Sequence, residues 1–166
     1  MAKFIWHDGE VDEGLEVRQV YGLIFTRDGR MLMKVENKGD HKVYSLAGGT
    51  PEDFDFDKVA TLKRELVEEV NVTIEEPFMV GYQEVDEENG TPSYAQVRMV
   101  AIIDKIGDIK PDPDNGETYE RLLATPSRVI ELLNWGNVGK RQVEQAYKIA
   151  KERLNLVETN NKEEYI

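Results

Sequence analysis

Arg64, Glu65, Glu68 and Glu69 fall in one short stretch of the chain, Arg-Glu-Leu-Val-Glu-Glu. On an α-helix at 100° per residue, Glu65 and Glu69 lie about 40° apart, and Glu68 lies about 60° from Glu65 on the other side. The three carboxylates therefore share one face. Like charges at these spacings destabilise an isolated helix by roughly 0.2–0.5 kcal/mol per pair, so a plain surface helix gains nothing from them. A divalent cation turns that repulsion into ligation, and Mg2+ or Mn2+ take hard oxygen donors together with water. Upstream, Gly48 and Gly49 lack side chains and let backbone groups approach a metal or a phosphate. A blander reading competes with this one. In it, Lys63 and Arg64 neutralise a solvated acidic face and the glycine pair is only a turn.

The elements that must position these residues are legible as periodicities. Val59, Leu62, Leu66 and Val70 recur at three, four and four residues, which predicts a helix over about Asp57 to Val70 with this stripe buried. Before it, β-branched and aromatic residues from Val17 to Thr26 predict a strand, Arg27 to Arg30 a turn, and Met31 to Glu36 the second arm of a hairpin. Val43 to Leu46 is a short extended segment that stops at the glycine pair. Strands are expected near Phe78 to Val85, Tyr94 to Asp104 and Arg121 to Ala124, and helices near Ser127 to Leu133 and Val138 to Leu154. Strands interspersed with a few helices suggest an α/β (α+β) chain, with a mixed sheet packed between helices. By composition, residues 1–16 read as an N-terminal extension, 17–156 as a single domain, and 157–166 as a polar tail prone to fraying.

Together, Gly48, Gly49 and the Arg64 to Glu69 core resemble the signature of the Nudix hydrolases, and the match runs from Gly48 to about Val72. The resemblance implies the Nudix α/β/α sandwich. It also implies Glu65, Glu68 and Glu69 as metal ligands, the Gly49 carbonyl as a further ligand, and Mg2+, or Mn2+ in its place. Arg64 would orient through a loop carboxylate. The catalytic set would be Glu68, Glu69, Arg64 and a carboxylate from the loop before the last strand, Glu120 or Glu117, acting as ligand or base. The reaction implied is hydrolysis of the diphosphate linkage in a nucleoside-diphosphate derivative. The partner is then a small molecule, and a homodimer is compatible with it.

The sequence departs from the signature in three places. Asn71 stands where glycine closes the helix, a mild change because asparagine also enters the left-handed region. The loop into the helix is one residue longer, and Phe56 falls where its glutamate belongs. Asp55 and Asp57 flank that place; we assign Asp57 to the helix cap and Asp55 to Arg64. The alternating aspartates 53, 55 and 57 do not make an EF-hand, since Lys58 and Arg64 occupy that loop's glycine and bidentate-glutamate positions. The departures keep a second reading open, a Nudix domain that binds a nucleotide as a regulator without cleaving it. A third makes the Glu65 to Glu69 face mere surface on an interaction protein.

Substrate contacts are less legible. Arg18, Lys34 and Arg98 lie on expected strands and are candidates for phosphate binding, against a solvent-facing alternative. Tyr21, Phe25, Tyr44, Tyr82 and Tyr94 are candidates for base stacking, against packing. The absence of cysteine excludes disulfides and thiolate metal sites, and His7 and His41 are too few for a histidine-built one. A net charge of −12 argues against binding duplex nucleic acid. No apolar run reaches the ~18 residues that span a bilayer, so no membrane partner and a cytoplasmic location are expected.

Overall fold

The computed structural model describes all 166 residues. In chain order the elements are β1 (Lys3–Asp8), β2 (Glu16–Phe25), β3 (Met31–Asn37), β4 (Lys42–Ser45), β5 (Gly48–Gly49), α1 (Lys58–Val70), β6 (Val72–Ile74), β7 (Phe78–Asp86), β8 (Tyr94–Ile106), β9 (Glu120–Ala124), α2 (Pro126–Leu133), α3 (Gly136–Arg153) and β10 (Glu164–Tyr165). The strands build a mixed sheet in the order β1-β7-β8-β2-β3-β9-β10. β4 is added to β3, β5 to β2 and β6 to β8. β2 and β8 run parallel, with Val20 opposite Val97 and Tyr21 opposite Arg98.

Side-chain alternation divides the core between the two faces of this sheet. Val20, Ile24, Leu32, Val97 and Met99 pack under α1 against Leu62, Leu66 and Val70. Leu23, Phe25, Met33 and Val100 pack on the opposite face against Val129 of α2 and Val143, Ala146 and Ala150 of α3. A central strand covered on both sides reads as a near-continuous apolar run, which is why β2 ends in Leu-Ile-Phe. Each large apolar side chain buried this way is worth about 1.5–3 kcal/mol. The result is the α/β/α sandwich expected from the order of elements.

The helix that carries the glutamates is fixed at both ends. The Asp57 carboxylate accepts from Ala60 N at 2.9 Å as the N-cap. Asn71 ends the helix in the left-handed region at φ 50, its N–H directed to Leu66 O and Val67 O. Arg121 of β9 closes the same end, its Nη1 donating to Val70 O at 3.0 Å and to Gly107 O at 2.7 Å.

The two end segments are part of the sheet. β1 pairs antiparallel with β7 from Lys3 opposite Asp86 to Asp8 opposite Gly81. Far along the chain, Glu164 and Tyr165 pair with Leu123 and Leu122. Buried Arg30 ties the tail down through Asp28, Glu164 and the Lys162 carbonyl. Composition separates these segments from the middle because their backbone bonds, which composition does not express, are what holds them. No helix is long and apolar enough to cross a membrane.

Candidate metal centre and adjoining cavity

Gly49 on β5 passes directly beside the second half of α1, at Glu65. A methyl group built on Gly49 would lie 2.4 Å from the Glu65 carboxyl carbon, so no side chain fits there. Gly48, at φ 155, is equally constrained, since the same methyl would lie 2.1 Å from Val20 O. Its N–H donates to Glu69 Oε1 at 2.8 Å. The glycine pair is thus what lets the backbone lie against the glutamate face.

Arg64 organises that face. Its Nε and Nη2 donate to Asp55 Oδ1 and Oδ2 at 3.0 and 2.8 Å, a bidentate pair, and Nη2 also reaches Thr50 O at 3.0 Å. Its Nη1 donates to Glu65 Oε1 at 3.0 Å and Glu68 Oε2 at 3.2 Å. Asp55 is therefore the loop carboxylate that holds Arg64, and Asp57 is the cap, as the sequence assigns them. Asp55 is fixed in turn by Thr61 Oγ1 and Glu52 N, each donating at 2.9 Å. Hydrogen bonds from Arg64 hold the Asp55 carboxyl well below the usual range.

The carboxylates themselves are crowded. Burial pushes the Glu65 carboxyl up to about 7, with the charges of Glu69 and Glu68 adding to the effect and Arg64 opposing it. Burial also raises Glu68, helped by Asp114 and Asp112 and opposed by Arg64. Oxygen atoms of Glu65, Glu68 and Asp114 lie within 4.8 Å of one another. Hard oxygen donors that share excess negative charge, with no histidine among them, fit Mg2+ or Mn2+.

The other candidates are distributed more widely. Glu69 lies beside Glu65 with both oxygens engaged, Oε1 accepting from Gly48 N at 2.8 Å and Oε2 paired with Lys34 Nζ at 2.5 Å. Lys34 is accordingly held beside the site by Glu69 and stacks on Tyr119, 4.7 Å from its centroid. Glu120 is drawn to Lys42 at 3.2 Å, and Glu117 is exposed. Asp114, from the same connection, is the carboxylate that approaches the helix, and sequence reasoning missed it. It sits in a tight turn where its N–H donates to Asp112 Oδ1 at 2.9 Å, and no periodicity marks such a turn. Arg18 is partly exposed, paired with Glu16 and stacked on Tyr94.

Arg98 is on the far face of the sheet, only 3% exposed. It lines a cavity of about 560 Å³ with Tyr21, Ser45, Leu46, Gln83, Gln96 and Trp135 among its walls. Trp135, Gln83 and Gln96 are further candidates that sequence reasoning did not find. Of the tyrosines weighed for stacking, Tyr21 lines the cavity, whereas Tyr82 is buried against His7. Phe25 stacks on Tyr147 in the core. Ser45 and Leu46 border the cavity while Gly48 and Gly49, just beyond, touch the glutamates. The ribbon from Leu46 to Gly49 spans roughly 10 Å at about 3.3 Å per residue, so cavity and carboxylates are the two ends of one short path.

This architecture, with the glycine ribbon laid against a carboxylate-bearing helix, is the Nudix hydrolase fold. Among solved structures, the chain is similar to the pyrophosphohydrolase BsRppH from Bacillus subtilis at a TM-score of 0.64 and 15% identity, covering 89% of this chain and 90% of that one. It is similar to a NUDIX hydrolase from Nitrosomonas europaea at 0.59 and 13%, covering 80% and 90%. A MutT protein from Bacillus halodurans aligns at 0.55 and 19%, covering 75% and 79%. No protein-family model and no curated protein sequence matches the chain.

Proposed function

We propose that the protein is a metal-dependent hydrolase that cleaves a diphosphate linkage in a nucleoside-diphosphate-type substrate. The observation that carries this reading is the convergence of Glu65, Glu68 and Asp114 within 4.8 Å beside a glycine ribbon. Glu65 and Glu68 would hold the ion, with Asp114 closing over it from the loop. A Mg2+ or Mn2+ held there would supply Lewis-acid activation of a phosphoryl oxygen and of the attacking water.

The chain's own groups do the rest. Arg64, clamped by Asp55, keeps Glu65 and Glu68 aimed at one point despite their repulsion. The second carboxylate oxygen of Asp114 or Glu68, the one that does not face the ion, accepts the proton of the attacking water. Lys34, held beside the site by Glu69, adds positive charge near the leaving phosphate. The reading as a binding-only regulator drew on the longer loop and on its missing glutamate; Asp55 pairs with Arg64 in that glutamate's stead with a shorter side chain, which favours the hydrolase.

The test is a panel of nucleoside diphosphates, triphosphates and nucleoside-diphosphate conjugates, assayed with Mg2+, with Mn2+ and with EDTA. Release of phosphate, pyrophosphate or a mononucleotide that requires the metal supports hydrolysis. Saturable binding without turnover under every metal supports the regulator instead.

A further inference from the structure

The cavity behind the glycine ribbon holds a positive charge that the fold leaves unbalanced. Arg98 donates from Nε to Gln142 Oε1 at 3.0 Å and from Nη1 to Gln96 O at 3.3 Å, and both acceptors are neutral. Nη2 has no partner in the fold, yet no fully buried side-chain nitrogen or oxygen is left without one, so Nη2 opens onto the cavity that Arg98 lines. Tyr21 and Trp135 flank the guanidinium at 4.9 and 5.7 Å from their ring centroids. A buried guanidinium lacking a carboxylate is costly, and a methionine there would avoid that cost.

The surroundings point the same way. The chain has 33 acidic residues, and none of them lines this cavity. The N-terminus of α3 opens on it through Trp135 and Val138, and Trp135 at the N-cap makes no side-chain cap bond. The first-turn N–H groups of α3 are therefore left without a side-chain cap, at the positive end of the helix dipole.

We propose that this cavity is an anion-binding subsite, taking a carboxylate or phosphate attached to a small planar organic group. A neutral nucleobase acceptor can meet Nη2, but it leaves the buried charge uncompensated. An anion accepts from Nη2 and balances the charge at once, while Tyr21 and Trp135 offer ring faces to the group that carries it. That this anion is the distal end of the same molecule whose diphosphate meets Glu65 and Glu68 rests on the proposed hydrolase activity. The anion site itself does not.

The experiment uses the full chain in EDTA, which removes any contribution of the metal centre, and follows binding by titration calorimetry. The probes are benzoate, phenyl phosphate, the neutral benzamide, and guanosine. Benzoate or phenyl phosphate should bind at least 10-fold tighter than benzamide and guanosine, and the tighter of the two anions identifies the group as carboxylate or phosphate. Arg98→Gln should lose at least 10-fold in affinity for that anion, with Arg98→Lys between it and the wild type. Anions that bind no better than benzamide, guanosine that binds tightest, or an Arg98→Gln variant as good as wild type would each overturn the proposal. The benzoate to benzamide comparison needs only the wild type, so a variant that fails to fold leaves the test intact. Anion binding in EDTA by a protein that hydrolyses nothing on the nucleotide panel would sustain the subsite and reject the hydrolase reading.

Discussion

At the scale of single residues, Glu65 carries the clearest electrostatic signature. Its folded carboxyl value of about 7 lies above the ordinary 4.5, so the folded state binds this proton more tightly than the unfolded chain does. The shift costs nothing below about pH 4.5, where both states are protonated; its cost grows as pH rises and is complete above about 7. In EDTA, Glu65→Gln should therefore gain stability relative to wild type between pH 4.5 and pH 8, read by urea unfolding at both values. A difference that does not change with pH would contradict this. Asp55 has the opposite sign, since its depressed value contributes stability above 3.8 that is lost as pH falls. The same Glu65 proton competes with a cation. Magnesium affinity, measured by calorimetry, should fall as pH drops through 7, and binding should release protons to the buffer at pH values near and below 7 but not well above it.

At the scale of the element, α1 depends on how it ends as well as on its buried stripe. Asn71 adopts φ 50, and its Nδ2 donates to Asp108 O at 2.9 Å. Asn71→Ala forces a Cβ into the left-handed region and removes that bond, for a loss of about 1–2 kcal/mol in urea unfolding. Asn71→Gly removes the bond but eases the backbone, and should change stability by about 0.5 kcal/mol or less. Equal losses in the two variants would show that the backbone conformation is not what Asn71 supplies. The helix was legible in the sequence because its signals are local: Leu62, Leu66 and Val70 at helical spacing, Asp57 before them, Asn71 after. Asp114 and the burial of Arg98 were not legible. Asp114 reaches Glu68 through a turn without periodicity, so Glu117 and Glu120 looked equally eligible. Arg98 sits in a strand buried on both faces, where alternation does not tell a solvent-facing arginine from one beneath α3.

At the scale of the whole molecule, the two ends of the chain stabilise the sheet that carries the site. β10 covers the edge of β9, and Arg121 Nε donates to Ile166 O at 3.2 Å while its Nη1 closes α1. Removing residues 161–166 frees Arg30 from Glu164 and the Lys162 carbonyl as well. The truncated chain should melt lower by about 5 °C or more, since ~2 kcal/mol shifts a domain of this size by several degrees. An unchanged melting temperature would mean that β10 contributes nothing to the sheet.

The central claim, that the Glu65, Glu68 and Asp114 face performs metal-dependent hydrolysis of a diphosphate, is tested most directly by Glu68→Gln. Glu68, like Glu65, is hydrogen-bonded only to Arg64, and it is the more exposed of the two helix glutamates, so its replacement disturbs the packing less. On the best substrate from the nucleotide panel, with saturating Mg2+, kcat for Glu68→Gln should fall at least ~100-fold while the melting temperature in EDTA is unchanged. Wild-type turnover should vanish in EDTA and return with Mg2+. Turnover that survives EDTA, or a Glu68→Gln variant that works at the wild-type rate, would contradict the account.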